Sequence, residues 1–310
     1  MYSKPRPIIK KIHSFIGHKD CLYTLELTED ANVFYTAGGD GLIVKWNLQE
    51  PELGKAIAQV QNSIYSILYI EARKWMIVGH NFDGIHIIDL QKQKETRSLK
   101  ITDSYIFDIQ IWGNFIYVAC GDGELCVVDL DKFIKTTSTR YSDKSARCIA
   151  IHPKINEIAV GFSDFNVRIL DKNDLSIKQT IKAHSNSVFT VCYSPDYNYL
   201  LTGGRDAKIN VWNCWNNYEQ INSIAAHLYA VNHLQYATDG NHFASASMDK
   251  SIKLWDANTF QLLKVIDKSR HAGHGTSVNK LKWIDNNKLL SVSDDRTATL
   301  WEVSYPLEDA

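Results

Sequence analysis

The chain has 310 residues, and 34 Lys and Arg against 35 Asp and Glu leave a net charge of −1. A near-neutral balance provides no whole-molecule electrostatic footprint for nucleic acid or an anionic membrane, so neither is expected as a partner. Hydrophobic residues make up 45% of the chain, enough for a sizeable core, but they are dispersed. No run approaches the roughly 20 apolar residues of a membrane span or resembles a signal peptide, so a soluble, intracellular, cytoplasmic protein is expected. The six cysteines (Cys21, Cys120, Cys126, Cys148, Cys192 and Cys214) fall at unrelated positions, which is not a disulfide framework. Cys120 and Cys126 flank a turn at Asp122 and should face each other as a reduced pair.

Residues 1–7 read as a loose lead-in, with Lys4, Arg6, Lys10 and Lys11 forming a solvated basic terminus. Residues 8–15 alternate apolar and polar, so they form a strand with no repeat of their own. From His18 one grammar recurs: an opening His, an alternating run, a turn, a second run with a hydroxyl residue, a turn with Asp, and a third run ending in Trp. It covers residues 18–47, 184–213, 227–256 and 274–301. Three weaker copies lie between the first and second of these, ending in GIHIID, ELCVVD and NVRILD. The weaker copy in residues 63–89 has a shorter second hairpin, with Asp83 one residue nearer its closing column. Asp309 and Ala310 form a polar end.

Aligning the last strands puts Trp46, Ile88, Val128, Leu170, Trp212, Trp255 and Trp301 in one column, at steps of 42, 40, 42, 42, 43 and 46 residues. Seven copies at this period, four short strands each, predict a β-propeller. The copies open with Gly17-His18, Ala183-His184, Ala226-His227 and Gly273-His274 and close with WN, WN, WD and WE. In this the chain resembles the WD-repeat family, over almost its whole length. The expected fold is all-β: a single seven-bladed propeller over residues 1–310, built of four-stranded antiparallel blades. Its approximate repeats are 18–59, 60–101, 102–141, 142–183, 184–226, 227–270 and 271–305. The last copy is one strand short, and the resemblance implies that the N-terminal strand 8–15 completes it, closing the ring and removing an exposed edge.

The resemblance also gives a role to the recurring polar residues. They are His18, Thr36, Asp40 and Trp46; His184, Thr202, Asp206 and Trp212; His227, Ser245, Asp249 and Trp255; His274, Ser291, Asp295 and Trp301. In the family they form a hydrogen-bonded chain from indole through hydroxyl and imidazole to the turn Asp. A buried indole N–H left unpaired costs roughly 1–3 kcal/mol, so the set is structural. The weak copies lack both the Trp and the His, with Val60, Thr102 and Ser142 near the vacant His position. They keep Asp83, Asp122 and Asp164, which can cap a tight turn through their own backbone. The hydroxyl residues stand mid-strand, without a nucleophile elbow or oxyanion donors, so this is no catalytic triad.

No HExxH, paired CxxC, P-loop, Rossmann glycine pattern or EF-hand loop is present, and no cofactor is expected. His271 and His274 are close in sequence, but His274 belongs to the buried set, so no metal site is expected there. Ligand contacts in the family favour the face where the inner strands begin, at three positions per blade. Here the resemblance points to Tyr23, Tyr65, Phe107, Arg147, Phe189, Asn232 and Asn279, and to Cys21, Ser63, Tyr105, Ser145, Ser187, Ala230 and Ser277. The third position, ahead of the turn Asp, gives Gly39, Phe82, Gly121, Ser163, Arg205, Met248 and Asp294. Tyr23, Tyr65, Phe82, Tyr105 and Phe107 cluster on three consecutive blades, with Arg147, Phe189 and Arg205 beyond them. Aromatics and Arg dominate interface energies.

The expected function is therefore a non-catalytic scaffold, a subunit of a complex, that binds a protein or peptide segment at the channel mouth. A small molecule is not favoured. One alternative is a hydrolase-like propeller enzyme, for which Asp294 and Asp108 are the only nearby acids. The other is a reader of a modified cationic side chain in an aromatic cage.

Overall fold

Each alternating segment of the sequence is a strand in the computed structural model of the chain, which describes residues 6–306. The expectations for residues 1–5, Lys4 among them, and for Asp309 and Ala310 lie outside those residues. The strands form seven four-stranded antiparallel sheets, one per blade. From the channel outward, blade 1 is Leu22–Leu27, Val33–Gly38, Leu42–Asn47 and Lys55–Gln59. Blades 2 to 6 repeat this order, starting from the inner strands Ile67–Ile70, Ile106–Trp112, Ala146–His152, Val188–Tyr193 and Val231–Tyr236. Blade 7 takes Val278–Trp283, Lys288–Ser293 and Thr297–Ser304 from the C-terminal end and Ile8–Ile16 from the other, paired from Ile8↔Ser304 to Ile16↔Thr297. The inner strand Leu22–Leu27 packs against both Val278–Trp283 and Ile67–Ile70, so the ring is closed.

Radial position explains the composition of each strand. A third strand lies between two neighbouring blades and is buried on both faces, so all six residues of Gly84–Asp89 are buried. The outermost strand Lys94–Lys100 is exposed at six of its seven positions and accordingly reads KETRSLK. The core is a series of inter-blade seams. Phe15, Leu290, Val292 and Leu300 of blade 7, for example, pack with Leu22, Leu25, Phe34 and Trp46 of blade 1. Phe15 is 1% exposed, with its ring 4.9 Å from Phe34 and 5.6 Å from Trp46, so the N-terminal strand locks the ring through a side chain as well as through its ladder.

Register also accounts for the split between strong and weak copies. On the second strand, Thr36, Thr202, Ser245 and Ser291 stand opposite Val44, Asn210, Lys253 and Thr299. The same column in blades 2, 3 and 4 holds Val78, Val118 and Val160, opposite His86, Cys126 and Arg168. With no indole to satisfy, an apolar residue replaces the hydroxyl. The Cys120 and Cys126 sulfurs lie 3.9 Å apart as buried thiols. The longest connection holds one helical turn, Lys268–His271, where the Asp267 carboxylate accepts from the Arg270 backbone N–H at 2.9 Å.

Candidate functional site at the channel mouth

In each strong blade the four polar side chains form one chain. Trp46 Nε1 donates to Thr36 Oγ1 at 2.8 Å, Thr36 meets His18 Nε2 at 2.8 Å, and His18 Nδ1 meets Asp40 at 3.0 Å. The matching indole–hydroxyl distances are 3.0 Å for Trp212, 2.8 Å for Trp255 and 2.8 Å for Trp301. A neutral imidazole satisfies every partner: Nδ1–H donates to Asp, and Nε2 accepts from the hydroxyl. Burial holds the pKa of His18 and His227 below the ordinary value, against the pull of Asp40 and Asp249. Burial pushes the Asp40 carboxyl up, but donation from Lys19 N–H and His18 outweighs it and leaves Asp40 low.

In the weak blades two of the turn acids cap their own turns as expected, Asp122 accepting from the Glu124 N–H and Asp164 from the Asn166 N–H, both at 3.2 Å. Their turn acids do not rest on backbone capping alone; each has acquired a side-chain partner. Thr102 Oγ1 donates to Asp122 at 2.8 Å, and Arg168 donates to Asp164 through two nitrogens at 3.2 and 2.7 Å. In blade 2, His80 and His86 both meet Asp83. Thr102 stands in the loop near the vacant His position, whereas His80, His86 and Arg168 come from the strands flanking the turn, so each partly buried acid keeps a side-chain donor once the loop His is gone.

A backbone device directs the mouth residues. In six blades the inner-strand register slips just after its first apolar residue, between Leu22 and Thr24, Ile106 and Asp108, Ala146 and Cys148, Val188 and Thr190, Val231 and His233, and Val278 and Lys280. The skipped residues are Tyr23, Phe107, Arg147, Phe189, Asn232 and Asn279. A bulge takes its residue out of the ladder and re-aims the side chain, here into the channel mouth. In blade 2 pairing starts only at Ile67, so Tyr65 precedes the ladder.

The rings form a continuous arc. Tyr23 and Tyr65 lie 4.8 Å apart, Tyr65 and Phe107 5.5 Å, Tyr105 and Phe107 5.6 Å, and Phe82 and Tyr105 4.8 Å. Phe82 and Tyr105 are 46% and 41% exposed, and the inner rings are half-buried, so the arc faces solvent. The Arg147 guanidinium is sandwiched between Phe107 at 3.9 Å and Phe189 at 4.8 Å. Burial lowers its pKa, exposed Arg205 nearby lowers it further, and among the described residues no carboxylate pairs with it.

Other predicted positions are engaged. The Asn232 amide donates to Ser277 Oγ and Val278 O, both at 2.9 Å, and the Asn279 amide donates to Leu22 O and Asp294 at 2.7 Å. These bonds staple blade 6 to blade 7 and blade 7 to blade 1. Asp108 accepts from the Ile109 and Ile149 N–H groups at 2.9 and 2.8 Å and from Gln110 at 3.0 Å. Glu26, which the sequence reading did not place here, also lines the channel and pairs with Lys282 at 3.3 Å. Asp108 and Glu26 are thus held along a cavity of about 550 Å³. His274 uses both ring nitrogens, on Asp295 and Ser291, so it offers none to a site with His271.

The sequence reading also missed part of the rim. Leu228 and Tyr229 are 84% and 62% exposed and adjoin Met248, 57% exposed, on blade 6. The Met248 N–H donates to Ala230 O, linking the two loops. Three large apolar side chains directly after an opening His, at Leu228-Tyr229, and before a turn Asp were a readable signal.

Seven blades, a closing N-terminal strand and four indole–hydroxyl–imidazole–carboxylate chains define a WD-repeat β-propeller, and the chain belongs to that family. The WD domain, G-beta repeat family matches residues 9–47, 175–213, 218–256 and 266–302, the four segments that carry the Trp chains. Residues 105–146, in blade 3, match the LVIVD repeat. The nuclear distribution protein PAC1 of Arthroderma benhamiae is 31% identical over 191 residues, 57% of this chain and 40% of that protein. WD repeat-containing protein 1-B of Xenopus laevis is 23% identical over 314 residues, 98% of this chain and 49% of that protein. A WD repeat-containing protein of Schizosaccharomyces pombe is 23% identical over 301 residues, 96% and 49% of the two chains. The chain spans less than half the length of these relatives. Among the described residues no helix is long and apolar enough to cross a membrane.

Proposed function

We propose that this propeller is a non-catalytic scaffold, acting in the cytoplasm as a subunit of a complex, and that it binds an extended segment of a protein partner across the channel mouth. Apolar side chains of the segment lie over the arc from Tyr23 to Phe82, and an acidic group reaches Arg147. The observation that carries this reading is the Arg147 guanidinium, held between two rings with no carboxylate of its own among the described residues. A cation so placed is preorganised for a carboxylate, and the aromatic faces fix its plane. Because Arg147 already occupies the cation position over Phe107 and Phe189, an acidic ligand is favoured over a modified cationic one. The acids a hydrolase would need are clamped by backbone donors and amides. Relatives with names such as nuclear distribution protein and WD repeat-containing protein fit an interaction scaffold.

The test is an array of acidic, aromatic-containing peptides followed by isothermal titration of the best binder. Arg147→Gln, and Tyr65→Ala combined with Phe107→Ala, should each weaken binding by about thirty-fold or more, the scale of an interface hot spot. Unchanged affinity in both variants would remove the mouth as the site.

A further inference from the structure

Blade 2 gathers two imidazoles and a carboxylate around one short turn. His80 ends the second strand, Asp83 is the turn acid, and His86 lies on the third strand, so the segment reads HNFDGIH. The turn is one residue tighter after Asp83 than in the strong blades: His80 pairs directly with Gly84, and Phe82 takes the positive φ of 67°. His80 Nδ1 lies 3.2 Å from His86 Nε2, His86 Nε2 lies 3.1 Å from Asp83 Oδ2, and His80 Nδ1 lies 3.3 Å from the same oxygen. The three ligand atoms make a nearly equilateral triangle.

From this convergence we propose that His80, Asp83 and His86 form a binding site for a divalent transition-metal ion of the zinc type. Ligands about 2.0–2.1 Å from a tetrahedral ion stand about 3.3–3.4 Å apart, close to the observed edges. Two imidazole nitrogens and one carboxylate oxygen are a donor set for such an ion, and they leave a fourth position for water or a group of a bound partner. His86 Nδ1 lies 3.2 Å from Glu95 Oε2, off the ideal hydrogen-bond direction but in place for the outer carboxylate that commonly orients a metal-bound imidazole. Asp83 and Glu95 together match the charge of a divalent ion.

The buried network of the strong blades does not account for these histidines. Blade 2 has no indole to satisfy, since Ile88 and Val78 hold the Trp and hydroxyl columns. In blade 5 a Cβ on Gly204, at the register position equivalent to His80, would meet the His184 ring at 2.8 Å. Blade 2 lacks that loop His, so a side chain fits there, but an apolar one would fill the space equally well. Phe82 belongs to the same turn, so the ion would also fix one end of the aromatic arc.

The experiment is titration of the tag-free full chain, stripped with chelator, with Zn²⁺ followed by calorimetry, and with Co²⁺ followed by visible absorption. One equivalent should bind, and Co²⁺ should give the intense bands of a four-coordinate site. His86→Gln and Asp83→Asn should abolish saturable binding, Glu95→Gln should weaken it about 10–100-fold, and His13→Gln should leave it unchanged. Ring NMR signals of the wild type give a readout independent of variant folding: Co²⁺ should broaden or shift those of His80 and His86 first. Absence of saturable binding, unaltered binding in His86→Gln and Asp83→Asn, or first effects on other histidines would each overturn the proposal.

Discussion

Thr202→Val tests whether the buried polar chain is held by mutual satisfaction. Thr202 is fully buried; it accepts from Trp212 Nε1–H at 3.0 Å and meets His184 Nε2 at 2.9 Å. Valine has nearly the same shape but leaves both groups without a partner. Each buried orphan costs about 1–3 kcal/mol, giving about 2–6 kcal/mol together. The extra apolar methyl returns about 1 kcal/mol, so the expected loss is about 3 kcal/mol. In a Trp212→Phe background the indole donor is gone, and the same substitution should cost about 1–3 kcal/mol less. Blades 2, 3 and 4 already follow this logic, with Val78, Val118 and Val160 beside Ile88, Val128 and Leu170. Equilibrium urea unfolding of the four proteins, followed by far-ultraviolet circular dichroism, measures the cycle. A loss below about 0.5 kcal/mol for Thr202→Val, or equal losses in both backgrounds, would refute mutual satisfaction.

Phe15→Ala should destabilise the ring by about 3–5 kcal/mol, because the lost phenyl fills the seam between blades 7 and 1. Ile8→Ala, on the same strand but 57% exposed, should lie within about 0.5 kcal/mol of wild type, and similar urea midpoints for the two would contradict the velcro-like closure. Acid should destabilise the protein in two stages. His18, His80, His152, His227, His233 and His271 all titrate below their ordinary 6.5, chiefly through burial. Below about pH 6.5 the unfolded chain takes up protons that the native chain cannot, so stability falls as pH drops towards the native values. Burial raises the carboxyls of Asp40, Asp206, Asp249 and Asp295, but donation from imidazole and backbone outweighs it, so they titrate low when folded. Their contribution is complete above about pH 4 and is lost as pH falls further, through the folded values. Urea midpoints that stay level or rise between pH 7 and pH 5 would refute the first stage.

Closure of the ring by the N-terminal strand was implied by the family resemblance, but the sequence alone determined the blade count and the membership of each Trp chain. Those features are written in local order: alternation places side chains on faces, Asp and Gly set the turns, and a fixed period aligns Trp46 with Trp212, Trp255 and Trp301. The family resemblance marked the positions from which Tyr23, Tyr65, Phe107 and Arg147 arise, but not the bulges that turn Tyr23, Phe107 and Arg147 inward, since a slip of one residue leaves no mark in the pattern. Only the tertiary structure decided which groups converge. It put Arg147 between rings of two other blades, gave Asp83 and Asp164 new partners across hairpins, and engaged Asn279 with Leu22 O, 257 residues away in the chain. Alternation fixes the face on which a side chain lies, whereas closure of the ring fixes what it meets there.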